Sequence, residues 1–357
     1  MNRALAGFAV LAMIGLTAGV ADAADKKVAF QFQDERITES SGLAASTKNA
    51  GIVYTHNDSD AGPVLYAVND STGETVATLT LKGAPARDWE AMTRCKDDGV
   101  DVLWVGDIGD NIDAWKTYPL LRVEEPSNPT TGDVKFKQYD MRYDDGKARD
   151  AEALLCDPRN GRLYVITKET ADKAGVYRGP ETMKAGAVNT FTRIADAPGA
   201  VTDASFFSDG RFVVTRGYFD AHILSPNAGW KSVVKFTPPI QIQGESVAAS
   251  ADGEALLFGS EGLGSSVWRV PIPEDVNKLP NSAVSAQDAK DAAQKAKDKA
   301  KDAKNAGKDA KDKAEDAKDT AQRINDEGIP GIDGQMVALI SALGLGVLVL
   351  VLATRRD

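Results

Sequence analysis

The chain has 357 residues, 43% of them hydrophobic, enough to bury a sizeable core, and its 52 Asp and Glu against 42 Lys and Arg leave a formal charge of −10. Residues 1–23 and 285–357 each carry equal numbers of both signs, so the whole excess sits on residues 24–284. Such an acidic domain argues against nucleic acid or anionic lipid as a partner and is compatible with cations, or simply with the solubility of a secreted protein.

Residues 1–23 contain one early Arg, an apolar run over 4–20 and Ala21-Asp22-Ala23 as a small-x-small cleavage signal, the pattern of a secretory signal peptide. Residues 27–33, KVAFQFQ, alternate apolar with polar and read as a strand. A phrase then recurs roughly every 40 to 60 residues: ESSGLAAS from Glu39, RDWEAMTRC from Arg87, RDAEALLCD from Arg149, VTDASFFSD from Val201 and QGESVAASAD from Gln243. Each is followed by a β-rich run ending in polar residues: IVYTHNDSD, VLWVGDIGDN, LYVITKET, FVVTRGYFD and LLFGSEGLG.

Within the first repeat, strands are expected over 42–45, 52–56, 64–68 and 75–81, separated by Asn-Ala-Gly, Asp-Ala-Gly-Pro and Ser-Thr-Gly turns. The second repeat places its outer strands at 118–123 and 134–142, and the third reads as 151–155, 163–167, 175–178 and 190–195. Four-stranded antiparallel units of this kind are the blades of a β-propeller. Residues 24–282 are therefore expected to form an all-β, five-bladed propeller, six blades being possible if the stretch 106–150 hides another. The last repeat stops after its third strand at 266–271, and the N-terminal strand is expected to close the ring there.

Residues 283–330 follow, rich in Ala, Lys and Asp, with alanines three or four apart over 286–321. They read as a helical or partly disordered stalk, about 60 Å long if residues 285–325 were fully helical. Residues 336–353 are apolar and uncharged, about 27 Å as a helix, and are expected to span a membrane. Arg355 and Arg356 in the tail 354–357 hold the cytoplasmic side, so the domain faces outward. The expectation is an exported protein held at the cell surface by its C-terminal helix.

Cys95 and Cys156 stand at matching places in consecutive repeats, where equivalent strands lie side by side. Outside the membrane a disulfide between them is plausible, with two buried thiols as the alternative.

The start of a hairpin's first strand and the end of its second lie at the same end, so the polar residues at these places gather on one face. The first set comprises Glu39 and Ser40, Asp88 and Glu90, Asp150 and Glu152, Asp203 and Ser205, and Glu245 and Ser246. The second comprises His56, Asn57, Asp58, Asp107, Asp110, Asn111, Lys168, Glu169, Arg216 and Glu261. Converging carboxylates must be protonated, paired with Arg or Lys, or joined by a cation, and hard oxygen donors suit Ca2+. The same residues could instead hold adjacent blades together through backbone N–H groups. Trp89 and Trp104 read as packing, and neither His56 nor His222 stands beside a Ser or Cys in a nucleophile motif.

The phrases SGLAAS, YTHNDSD, RDWEAM, WVGDIGDN, DAEAL and TDASF-SDGRF, over residues 32–273, resemble secreted bacterial β-propellers of the phytase-like (esterase-like phytase) and SdiA-regulated type. The resemblance implies Ca2+ in or above the channel, with Asp88, Glu90, Asp107, Asp150, Glu152 and Glu245 as ligands, and in some relatives phosphomonoester hydrolysis. Two readings follow. One is a surface-displayed platform that binds Ca2+ and recognises an extracellular protein, glycan or other ligand at the mouth. The other is a calcium-dependent phosphoester hydrolase, with Glu90 or Glu152 as base and Lys168 and Arg216 holding the phosphoryl oxygens. A purely structural envelope role stands behind both.

Overall fold

The computed structural model describes residues 26–58 and 61–279, all within the unit Met1–Val284. The expected signal peptide, stalk, transmembrane helix and tail lie outside the described residues. Among the described ones no helix is long and apolar enough to cross a membrane.

The strands are β1 (Lys27–Gln31), β2 (Ser40–Ala45), β3 (Ile52–Asn57), β4 (Val64–Asn69), β5 (Thr75–Thr80), β6 (Trp89–Asp97), β7 (Val100–Asp107), β8 (Tyr118–Glu124), β9 (Gly132–Asp133), β10 (Phe136–Tyr143), β11 (Ala151–Cys156), β12 (Leu163–Thr167), β13 (Gly175–Arg178), β14 (Val188–Asp196), β15 (Asp203–Phe206), β16 (Val213–Arg216), β17 (Ala221–Ser225), β18 (Lys231–Phe236), β19 (Val247–Ala249), β20 (Ala255–Phe258) and β21 (Ser266–Pro271). One helical turn, α1 (Glu274–Asn277), follows. Turn chemistry sets the hairpins. Between β6 and β7, Asp98 and Gly99 both take positive φ, 50° and 82°, as a two-residue turn with matching twist requires.

The strands form four sheets, ordered β2-β3-β4-β5-β9, β6-β7-β8-β10-β14-β13-β12-β11, β15-β16-β17-β18 and β19-β20-β21-β1. The strands that begin with the repeated phrase lie beside one another in the cyclic succession β2, β6, β11, β15, β19 and back to β2. The domain is thus an all-β propeller whose inner strands surround an axis. The N-terminal strand β1 pairs antiparallel with β21, Lys27 opposite Arg269, and gives the last sheet its fourth strand.

The second repeat's outer strand, expected over 134–142, is β10, antiparallel to β8 (Phe136 opposite Val123). Two parallel pairings lie beyond that expectation: the short β9 just before it joins β5 (Leu79 opposite Gly132), and β10 also joins β14 (Asp140 opposite Val188). The second pairing merges two meanders into the eight-stranded sheet and covers the otherwise bare edge of β10.

Burial follows position in the ring. β2 and β11 are buried throughout, whereas the outer β14 alternates exposed and buried side chains along its first half. The core lies between neighbouring meanders: Tyr54, Leu79, Trp89 and Leu103 fill one interval, and Tyr118, Tyr143, Tyr177 and Phe191 the next. Each such side chain contributes about 1.5–3 kcal/mol by leaving water. Trp89 and Trp104 belong to this packing, and Trp89 donates its indole N–H to Pro85 O at 2.9 Å. Cys95 on β6 and Cys156 on β11 form a disulfide, with Cα atoms 5.9 Å apart.

Candidate metal centre at the acidic mouth

A local irregularity repeated around the ring aims the mouth carboxylates. Pairing slips by one residue between Ser40 and Gly42, between Trp89 and Ala91, and between Ala151 and Ala153. Each slip is a β-bulge, and the extra residues are Ser41, Glu90 and Glu152. A bulge residue drops out of the ladder and its side chain is re-aimed. Glu245 occupies the matching place before β19, between Gln243, whose carbonyl accepts Glu261 N–H, and Ser246, whose carbonyl accepts Gly259 N–H.

Asp58, Asp88 and Glu90 offer carboxylate oxygens that all lie within 4.8 Å of one another. Gly109 makes this possible: a Cβ there would stand 2.4 Å from Glu90 Oε1 and 2.7 Å from Asp88 Oδ2. Asn111 Nδ2 donates to Asp88 Oδ2 at 3.1 Å, and Ser41 Oγ donates to the Glu90 carbonyl at 2.8 Å and lies 3.4 Å from Glu90 Oε2. Burial and the hydrogen bond with Asp58 push Asp88 up to about 7. Burial, then repulsion by Glu152, Asp58 and Asp88, pushes Glu90 up to about 11. Burial and mutual repulsion thus leave Asp88 and Glu90 short of positive charge.

The other mouth acids have partial compensation. Glu152 is ion-paired with Lys168, yet burial still pushes it up to about 8. Burial also raises Asp150, although its Oδ1 accepts Asp110 N–H at 3.1 Å. Tyr218 OH donates to Glu245 Oε1 at 3.0 Å, while Glu245 Oε2 is buried with no hydrogen-bond partner. Burial and repulsion by Glu245 and Glu39 hold Glu261 at about 7.

Three expected mouth residues are used elsewhere. Asp107 is fully buried: its Oδ1 accepts the N–H groups of Arg87 (3.1 Å) and Asp88 (2.8 Å), and its Oδ2 accepts Arg87 Nε at 3.1 Å. It staples the β6–β7 hairpin and is not brought into the carboxylate cluster. Asp203 likewise joins neighbouring sheets, accepting Val247 N–H at 2.8 Å and Ala204 N–H at 2.7 Å. Arg216 is swallowed, donating from Nη1 to Gly259 O (2.7 Å) and Ser246 O (3.2 Å). It fits because Gly244 has no side chain; a Cβ there would lie 1.7 Å from Nη2. Burial pushes His56 down to about 4, so its imidazole is neutral, edge-on to Trp89 with ring centroids 5.7 Å apart.

Of the six expected ligands, Asp88 and Glu90 share one cluster, Asp150, Glu152 and Glu245 stand around the same mouth, and Asp107 is turned away. Asp58 completes the cluster. It was legible as a mouth residue from its place after β3, though not as a ligand.

No family model matches this chain, and no curated protein does. Among solved structures, a chain of "Crystal Structure of Mitotic Checkpoint Complex" is similar with a TM-score of 0.34 and 15% identity, over 64% of this chain and 63% of that chain. So loose a likeness carries no argument, and the fold rests on the strand order above.

Proposed function

We propose that this protein is an exported, membrane-anchored propeller of five blades that holds Ca2+ in the mouth of its axis and recognises a ligand there. The cyclic succession of five inner strands supports the count of five, β10 and β14 then joining two blades at their edges. The phytase-like resemblance, the outward display and the membrane anchor belong to the same proposal.

The observation that supports the cation reading is the Asp58–Asp88–Glu90 cluster, three carboxylates whose oxygens all lie within 4.8 Å of one another, in the space left by Gly109. Hard oxygen donors fit Ca2+, and Asp58, Asp88 and Glu90 would hold it. Bound there, the ion would neutralise the carboxylates and offer a positive centre to an oxygen of the ligand.

The hydrolase reading asks Lys168 and Arg216 to hold phosphoryl oxygens. Lys168 is engaged by Glu152 and Arg216 lies beneath the mouth on backbone carbonyls. Recognition without turnover is therefore the better fit.

Calorimetric titration of Ca2+ into the chelator-treated protein tests the reading. Saturable binding at micromolar strength is expected, together with no turnover of phosphoesters; absence of binding would return the carboxylates to a structural role. Asp88→Asn should weaken binding at least about tenfold, the scale of one lost charge-assisted contact. Gly109→Ala should do the same by filling the cluster, while the melting temperature of the metal-free protein changes little, because only side-chain ends need to give way.

A further inference from the structure

Among the described residues, the large apolar side chains that are more than half exposed are Ile112, Phe219, Ile240, Ile242 and Leu263. All five stand on segments at the mouth end of the ring: the β7–β8, β16–β17 and β20–β21 loops and the β18–β19 connection. Four of them crowd one sector. Phe219 is 89% exposed, Ile240 94%, Ile242 88% and Leu263 66%. Exposed apolar groups scattered singly need no explanation, but their confinement to one sector of one face marks an interaction surface.

The chain is held in this display. Gln241, between the two isoleucines, donates to Ser266 O at 2.8 Å and Ser260 Oγ at 3.3 Å, so the segment is tied down to the last sheet and its neighbours project. Gln243 donates to Glu261 Oε2 at 2.7 Å, Gly262 N–H bonds Thr38 O at 2.8 Å, and Tyr218 OH reaches Glu245. Each of the four apolar residues is thus a chain neighbour of a residue that fixes this rim or carries its charge.

The charge inside the sector is negative. Glu39, Glu245 and Glu261 face one another there, and the buried Glu245 Oε2 has no partner. The nearby cations are committed, Lys168 to Glu152 and Arg216 to the carbonyls of Ser246 and Gly259. A partner that fits must bring a cationic group for the carboxylates and apolar side chains for the rim. The described chain leaves the ring beyond β21, whose Pro271 pairs with Ala255 at the end opposite the mouth.

We infer that this sector, built by Phe219, Ile240, Ile242 and Leu263 around Glu245 and Glu261, docks a protein segment that presents a lysine or arginine flanked by large apolar side chains. The inference rests on the mouth being a recognition surface, and it names the ligand class.

The test uses the full chain and two labelled peptides, one alternating lysine with leucine, the other alternating glutamate with leucine, read by fluorescence anisotropy. The lysine peptide should bind and the glutamate peptide should not. Binding should weaken about tenfold or more in Ile240→Ser/Ile242→Ser and in Glu261→Gln, as for central contacts of an interface. The isoleucines are nearly wholly exposed, so the double variant should keep its melting temperature. Four results would overturn the inference: no binding of the lysine peptide; binding indifferent to the isoleucines, which is charge attraction alone; isoleucine-dependent capture by phosphatidylserine vesicles without peptide binding; or isoleucine-dependent self-association in sedimentation without peptide binding. Ca2+ titration on the same samples separates the two readings. Peptide binding with no Ca2+ response sinks only the cation reading, and a Ca2+ response without peptide binding sinks only this one.

Discussion

Saturating Ca2+ should raise the melting temperature by about 5–10 °C at pH 8 and by far less at pH 5. Asp88 and Glu261 sit at about 7 in the folded protein and Glu152 at about 8, whereas in the unfolded chain such carboxyls ionise near 4. Below pH 4 both states are protonated and these groups cost nothing. From about pH 4 upward the unfolded chain has released protons that the folded mouth still holds, so these groups cost the metal-free protein stability as pH rises; Asp88, Glu261 and Glu152 have exerted their cost by about pH 8, and Glu90, pushed up to about 11, extends it to higher pH. Asp34 and Asp145, held down at about 2 by Arg36 and Arg149, act in the opposite sense below about pH 4, and His56, pushed down to about 4 by burial, does so between about pH 4 and 6.5, so the loss stands clear of opposing groups above about pH 6.5.

A cation replaces those protons, so its effect should grow over the same interval. At a hundredfold excess over the dissociation constant it is worth about 2.7 kcal/mol, and at about 2–4 °C per kcal/mol for a domain of this size this yields the stated shift. Thermal unfolding at several pH values, with Ca2+ or chelator, reads it directly. A melting temperature in chelator that climbs from pH 6.5 to 8, or a Ca2+ shift equal at pH 5 and pH 8, would sink the account of an acidic mouth short of positive charge.

The ring and its mouth are largely legible in the residues, because the acidic phrase stands at the start of each inner strand. Glu90 and Glu152 could be placed at the mouth from their matching positions alone. What is not legible is which way each carboxylate is spent. Asp88 and Asp107 look alike in the chain, yet Arg87 and its own hairpin's N–H groups capture Asp107 while a bulge and the bare backbone of Gly109 bring Asp88 and Glu90 together. Arg216 reads as a counter-charge at a strand end, and only the space over Gly244 buries it. Asp58 meets Asp88 across two consecutive meanders, a long-range contact that no local pattern carries. The parallel pairings of β9 with β5 and of β10 with β14 escape for the same reason.

Removing the disulfide should cost about 4 kcal/mol and lower the melting temperature by roughly 8–16 °C. Cys95 and Cys156 are 61 residues apart, and closing a loop of that length in the unfolded chain accounts for the free energy; the temperature shift follows at about 2–4 °C per kcal/mol. Against a total of about 5–15 kcal/mol for a folded domain the bond is a large share. Cys95→Ala/Cys156→Ala, both buried in an apolar cluster, keeps the chemistry of the surroundings while breaking the link.

Calcium affinity should respond differently. The bond closes the inner strands β6 and β11 at their far ends, whereas Glu90 and Glu152 stand at the near ends of the same strands. There the geometry is kept by the bulges and by Asp110 N–H on Asp150 Oδ1, which bridges the loop after β7 to the start of β11. The variant should therefore melt earlier yet bind Ca2+ at 25 °C within about threefold of the native protein, since groups this far apart act nearly independently. Titration of the oxidised and the disulfide-free protein side by side decides it. If affinity falls in step with stability, the bond itself sets the spacing of the mouth carboxylates, and the site is only as well formed as the ring is closed.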